Sequence, residues 1–558
     1  MGKINFSLGK YELKIENAKA EYVNQKIARR IYEKDYTVWS NSPTEVTNRL
    51  DWLISPEETL AHLEEIKSFV EDVKGRFTHA LLLGMGGSSL APEVFKLSFG
   101  VKDGFLDLEV LDSTDPGEVL NYTRKFDPQK TLYIVSTKSG GTIETLSFFK
   151  YFFSYCKERI GEYAGRHFVA ITDPGSKLQE MAAELNFRKV FVNNPNIGGR
   201  YSVLSFFGIV PAALVGINIE KLLNNAKMVA EECKNEKSLS GDIGIAMATL
   251  AKLGRDKLTF VYTKQVESFG TWVEQLIAES TGKDGTGILP VEAESLESPE
   301  FYGNDRVFVY THLENDNEQS EKIELLKNIG HPVIEIILDD IYDLGIEFIR
   351  WEFATAVSGW KLGIQPFDQP NVESAKIEAK AMINSYFAKG ELPKLEAAIE
   401  EDGIKLFGET EEPKLESAVE KFLNQLNDDK YNYVAIMAYV TPTKEIIKPL
   451  HELRTKIQKK YKAAVTTGYG PRFLHSTGQL HKGDGGNGLF IQLTETMPED
   501  ANIPDEPGSN ESKFSFGVLK TAQLLGDRQA LLNSDRKVVT IDLGDHTVSN
   551  LYKISETI

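Results

Sequence analysis

Two places in the chain gather glycines and hydroxyls directly after an apolar run, the pattern that holds a phosphate. Residues 80–83 pass into Gly84-Met85-Gly86-Gly87-Ser88-Ser89 and then into a helix starting near Ala91-Pro92-Glu93. Glycines let backbone N–H groups close on an anion, and a helix N-terminus adds partial positive charge. Residues 132–135 end in Ser136-Thr137-Lys138-Ser139-Gly140-Gly141-Thr142, before Glu144 and a second helix. Hydroxyls, an ammonium and two glycines at the carboxyl end of a strand lie where open α/β sheets bind ligands. Neither segment has the third glycine of a dinucleotide fingerprint or the spacing of a Walker loop. A monophosphate without its own magnesium site fits better, so the expected ligand is a sugar phosphate.

Three further segments carry acid/base chemistry. Asn194-Pro195-Asn196-Ile197-Gly198-Gly199-Arg200-Tyr201-Ser202 sets an arginine beside two glycines at a helix start, suited either to a ligand or to an ion pair at a domain seam. Gln275 and Glu279 share one helical face, and Ser280-Thr281-Gly282-Lys283-Asp284-Gly285-Thr286-Gly287 follows. By itself Glu279 suits a base or an exposed helix end. Of nine histidines, His475 stands in the loop Gly468-Tyr469-Gly470-Pro471-Arg472-Phe473-Leu474-His475-Ser476-Thr477-Gly478-Gln479, whose glycines favour a ligand over packing. His481 is expected to lie outside the chemistry. No His-Glu-x-x-His or similar spacing occurs, so no catalytic metal is expected.

These residues need a scaffold that brings strand ends together. Short apolar runs at 79–83, 106–111, 131–135, 168–171 and 189–192 alternate with helical patterns, which predicts buried parallel strands in a doubly wound α/β domain over 71–220. A second cycle, with strands at 258–262, 307–310 and 333–338 and a helix over 346–362, predicts another over 221–390. Residues 1–70 are charge-rich and helical in pattern, with Ser55-Pro56-Glu57-Glu58 as a helix start capped by Ser55. Residues 391–430 are expected to be a solvated helical connector. Runs at 433–439, 488–493 and 538–541 predict a third α/β part over 431–558, which carries His475. The fold class is therefore α/β, two domains with doubly wound, mostly parallel sheets flanked by a helical arm and an α/β extension.

Composition narrows the function. The 558 residues are 41% hydrophobic and 26% charged, an ordinary globular balance. A formal charge of −19 repels a phosphate backbone, so nucleic acid is not an expected partner. Two cysteines, Cys156 and Cys233, build neither a disulfide framework nor a cysteine metal site. The most apolar stretch, 205–219, is interrupted by Gly208, Pro211 and Gly216 and reads as a core helix, not a membrane span. The N-terminus lacks a signal-peptide pattern, and the cytoplasm is the expected compartment.

Taken in order, Gly84-Met85-Gly86-Gly87-Ser88, Thr137-Lys138-Ser139-Gly140-Gly141-Thr142, Gly198-Gly199-Arg200-Tyr201-Ser202, Glu279-Ser280-Thr281-Gly282-Lys283 and Phe367-Asp368-Gln369-Pro370-Asn371-Val372-Glu373-Ser374-Ala375-Lys376 resemble the glucose-6-phosphate isomerase family over about residues 75–380. The resemblance implies two sugar-isomerase (SIS) domains and interconversion of glucose 6-phosphate and fructose 6-phosphate without a cofactor. It implies a phosphate grip from Ser88, Thr137, Lys138, Ser139 and Thr142. Glu279 would be the base, Arg200 the stabiliser of the intermediate, and Lys376 and His475 the ring-opening pair. Gly87, Gly199, Gln275 and Gln369 would touch the sugar. One departure stands out: the histidine segment follows the lysine, whereas in the family it precedes it. That order resembles the isomerase part of bifunctional transaldolase/glucose-6-phosphate isomerase proteins. His475 then arrives either from its own chain or from another subunit of a homodimer, and His312 is the fallback. The alternatives are an isomerase that also takes mannose 6-phosphate and a non-catalytic SIS-type sensor.

Overall fold

The computed structural model describes residues 2–428 and 430–558. Its frame is three open sheets. Strand β1 (Lys3–Ser7) comes first; β2 (His79–Gly84), β3 (Asp107–Leu111), β4 (Thr131–Ser136), β5 (Phe168–Thr172) and β6 (Lys189–Val192) follow. The last five form one parallel sheet in the order β3-β2-β4-β5-β6. All six residues of β4 are buried, which explains its unbroken apolar run. Helix α1 (Leu90–Phe99) leaves the first glycine turn, α2 (Ile143–Ile160) the second, and α3 (Phe206–Leu214) lies wholly in the core.

The second sheet contains β7 (Lys257–Tyr262), β8 (Leu289–Val291), β9 (Arg306–Leu313) and β10 (Val333–Leu338), parallel to one another. Between β7 and β8 runs α4 (Phe269–Thr281); α5 (Leu344–Leu362) packs behind the sheet. Strand β1 completes this sheet antiparallel to β10, pairing Phe6 with Ile334. Residues 1–70, expected to be a helical arm, therefore open with a strand. Five residues that alternate in exposure carry too little pattern to announce an edge strand whose partner lies hundreds of residues away. Ser55 is also not a cap: it is the first helical residue, and its hydroxyl donates to the Trp52 carbonyl at 3.0 Å.

Helix α6 (Val372–Lys389) leads to β11 (Ile399–Glu401) and β12 (Ile404–Phe407), a hairpin where a helical connector over 391–430 was expected. Ile399, Ile404 and Leu406 are buried in the C-terminal core, and among the described residues of that segment only 415–423 are α-helical. Next come β13 (Tyr433–Tyr439), α7 (Lys444–Tyr461), β14 (Ala464–Tyr469), α8 (Gly478–Gly483), β15 (Gly488–Thr494), the small hairpin β16 (Asn502–Ile503) and β17 (Phe514–Ser515), α9 (Phe516–Asn533) and β18 (Lys537–Asp542). The third sheet runs β11-β12-β18-β15-β13-β14. Its four parallel strands have the order second-first-third-fourth, as the first sheet has for β2 to β5. No described helix is long and apolar enough to cross a membrane.

Candidate active site

The glycine turn after β2 lies against the segment that carries Arg200. A Cβ on Gly87 would come within 2.0 Å of the Gly199 carbonyl oxygen, so only glycine admits this approach of two backbones. Arg200 itself is 3% exposed. Its guanidinium donates to Ser280 Oγ at 2.7 Å, to Gln369 Oε1 at 3.1 Å and to the carbonyls of Pro366 (2.7 Å) and Asp368 (3.0 Å). Its Nη1 is 3.0 Å from Glu279 Oε1. Lys283 fixes the same loop by donating to the Asp368 carbonyl and carboxylate at 2.6 and 2.8 Å. Burial, and then the charge of Arg200, push the Lys283 ammonium down to about 8, against the pull of Asp368.

Glu279 stands on the last turns of α4, one turn beyond Gln275. The Gln275 amide donates to Glu279 Oε2 at 3.1 Å and to the backbone carbonyl of His475 at 2.7 Å. One side chain thereby links the carboxylate to the histidine loop. The Glu279 side chain is 14% exposed, accessible without facing bulk solvent. His475 comes from the third α/β unit of the same chain, between β14 and α8. Its Nε2 lies 3.0 Å from Glu144 Oε1, at the start of α2.

Burial alone would raise the Glu144 carboxyl, but its contact with His475, with Lys376 beyond, holds it below its ordinary value. Glu144 was not singled out in the sequence. The residue that reveals its task lies 331 positions away.

Beside this pair is a cavity of about 460 Å³, lined in part by Ser139, Gly141, Thr142, Glu144, Lys376 and His475. Helix α2 starts here, and its N-cap Thr142 makes no side-chain hydrogen bond to the first turn. The Thr137 and Thr142 hydroxyls are 3.2 Å apart, and Ser88 is tied to the same turn through its carbonyl, which accepts from Ser136 Oγ at 3.0 Å. Lys138 points elsewhere: its ammonium pairs with Asp173 and donates to the Pro195 carbonyl at 2.7 Å. Lys376, on α6, pairs with Glu373 at 2.9 Å and is 55% exposed at the cavity wall.

The fallback histidine is not near these groups. His312 is stacked on Tyr310 in β9, with Nδ1 2.9 Å from the Leu313 carbonyl. His481 is buried among Phe473 and Phe490. Among the described residues, no group of three or more His, Cys, Asp or Glu is placed to hold a metal.

The arrangement places a cavity beside a hydroxyl-rich turn and the Glu144–His475 pair, and links it through Gln275 to a carboxylate facing a guanidinium.

Comparison with known proteins follows the same outline. A family model described as phosphoglucose isomerase matches residues 48–294. The chain is similar to the glucose-6-phosphate isomerase of Carboxydothermus hydrogenoformans, 28% identical over 391 residues, spanning 59% of this chain and 83% of that protein. It is also similar to a probable glucose-6-phosphate isomerase of Methanococcus maripaludis, 32% identical over 342 residues, 54% of this chain and 77% of that protein. Among solved structures, a glucose-6-phosphate isomerase from Chlamydia trachomatis superposes with a TM-score of 0.55 at 17% identity, over 68% of this chain and 87% of that one. A hypothetical protein from Thermus thermophilus gives 0.60 at 24% identity, over 68% and 100%. These two structures speak for the fold.

Proposed function

Because the chain belongs to the phosphoglucose isomerase family, we propose that it interconverts glucose 6-phosphate and fructose 6-phosphate through a cis-enediolate. The observation that carries this reading is the Arg200–Glu279 pair at 3.0 Å, joined through Gln275 to His475 and so to the cavity beside the hydroxyl turn.

In this reading the phosphate lies on the turn formed by Ser139 and Thr142, at the N-terminus of α2. Orientation from that remote group contributes up to ~7–11 kcal/mol in favourable cases. Ring opening moves a proton from the anomeric hydroxyl to the ring oxygen. His475 suits that transfer, with Glu144 orienting it and Lys376 at the cavity wall. Glu279 then takes the proton from C2 of the open aldose and returns it at C1, while the hydroxyl proton passes from O2 to O1. Negative charge builds on both oxygens in the enediolate, and the buried guanidinium of Arg200 offsets it. Gln275 and Gln369, each bonded to one member of the Arg200–Glu279 pair, hold that geometry. These steps use protons alone, so no cofactor enters.

The test is a coupled assay for glucose 6-phosphate formed from fructose 6-phosphate, with chelator present and mannose 6-phosphate offered in parallel. Turnover that survives the chelator is expected, with glucose 6-phosphate as the main aldose. A chain that binds fructose 6-phosphate without converting it is a sensor, and the proposal then fails.

A further inference from the structure

Helix α9 is buried along most of its length, yet three polar residues on one face of it are buried too. Lys520 is 2% exposed, Gln523 4% and Asp527 0%. Their spacing of three and four places them in one stripe. Lys520 Nζ is 2.5 Å from Asp115 Oδ2, in the turn after β3, and Asp115 also accepts from Thr441 Oγ1 at 3.0 Å. Asp527 Oδ1 accepts from Lys482 Nζ at 2.6 Å, and that ammonium also reaches the Gly478 carbonyl at 3.3 Å, within the helix that follows His475. Between these ion pairs, Gln523 Nε2 donates to Glu144 Oε1 at 2.7 Å, and Thr114 Oγ1 donates to Gln523 Oε1 at 2.7 Å.

We propose that this stripe positions the Glu144–His475 pair, with Gln523 as a positioning residue for the ring-opening step. The inference rests on the isomerase reading and extends it to the third α/β unit.

The argument is one of donors and acceptors. An ionised carboxylate can only accept, so the Gln523 amide must turn its nitrogen to Glu144 and its oxygen to Thr114. Glu144 Oε1 then takes two donors, Gln523 Nε2 and His475 Nε2, which fixes the carboxylate and holds the proton of the imidazole on Nε2. Nδ1 is left with its lone pair for the proton of the substrate. Buried ion pairs on either side are a poor way to gain stability, since apolar residues of the same size pack as well. What they add is register: they tie α9 to the β3 turn on one side and to α8 on the other, and so set where Gln523 meets Glu144.

Two substitutions test this. Gln523→Leu keeps the volume and removes the donor; Thr114→Val keeps the shape and removes only the hydroxyl that orients the amide. For Gln523→Leu, kcat on fructose 6-phosphate is expected to fall about ten- to a hundredfold, with KM within about twofold, as the loss of a hydrogen bond to a charged group implies. Thr114→Val should fall less, and the double variant no further than Gln523→Leu alone, because both act through one amide. Nitrogen-15 NMR of His475 should show the Nε2–H tautomer in the wild type and a mixture in Gln523→Leu. Wild-type kcat in both single variants overturns the proposal, as do additive losses or an unchanged tautomer. If the wild type itself does not isomerise, the functional reading fails, while the tautomer measurement still decides whether Gln523 and Glu144 set the imidazole.

Discussion

Glu279 and Arg200 face each other at 3.0 Å, so each holds the other in place. Replacing Glu279 with Gln keeps the shape and the hydrogen bond from Gln275 but removes the base. Turnover should fall by roughly 10²–10⁴-fold while the KM for fructose 6-phosphate changes little, which steady-state kinetics reads directly. His475→Ala should reduce turnover of the cyclic sugar far more than that of an open-chain analogue; equal losses would assign His475 to binding instead. At this scale the hydroxyl turn was legible from its residues alone, whereas Arg200 and Glu279, each open to a structural reading by itself, took their expected roles from the family resemblance. Lys138 was misleading for a local reason: an ammonium in a hydroxyl-rich turn suggests phosphate, but Asp173 on the neighbouring strand end takes it. Glu144 and Gln523 were not legible, since their roles arise only where chain segments 379 positions apart meet.

Helix α4 does two tasks, since it carries Glu279 and also holds the histidine loop. Gln275 binds the carbonyl of residue 475, and Glu274 accepts from Ser476 Oγ at 3.4 Å. At its end Gly282 sits under α8, where a Cβ would come within 2.3 Å of the Leu480 Cα. Gly282→Ala should therefore push α8 away and misplace His475. The expected result is a lower melting temperature together with a loss of ring opening greater than the loss on an open-chain analogue. Glu274 predicts a pH effect. Burial, reinforced by Glu292 and opposed by Arg472 and Arg454, pushes its carboxyl up from 4.5 to about 8. The folded state then binds more protons than the unfolded one between those values, so stability falls as pH rises through that window. Glu274→Gln should raise the melting temperature at pH 8.5 relative to wild type and do less at pH 5, as differential scanning calorimetry at the two pH values can measure. The strands that supply the scaffold were readable where both faces are buried, as in β2, β4 and β13. Those that escaped are β1, β8, β11, β12, β14 and the small hairpin β16–β17: β1, β8, β11 and β14 lie at sheet edges, and all but β14 have five residues or fewer, too few to carry a period.

At the scale of the molecule, the four parallel strands of the third sheet repeat the order of β2 to β5 in the first, and its loop after β14 brings the histidine to a pocket that Phe514, Leu519 and Gln523 of the third unit help to line. The third unit thus supplies, within one chain, a group that a neighbouring subunit could otherwise give. Cleaving the chain at residue 390 should abolish turnover even if the remaining part folds, because Glu144 loses both His475 and Gln523. Specific activity of the full chain should also stay constant on dilution across the range where any oligomer dissociates, as an activity series run beside light scattering would show. The most direct test of a site assembled within one chain mixes two variants, Glu279→Gln and His475→Ala, purified separately and then co-refolded, and assays fructose 6-phosphate turnover. The account predicts that each variant is nearly inactive alone and that the mixture recovers nothing, because no chain holds both groups. Recovery in the mixture would place His475 in the pocket of another subunit, and wild-type turnover by the Glu279→Gln protein would remove the base from the mechanism altogether.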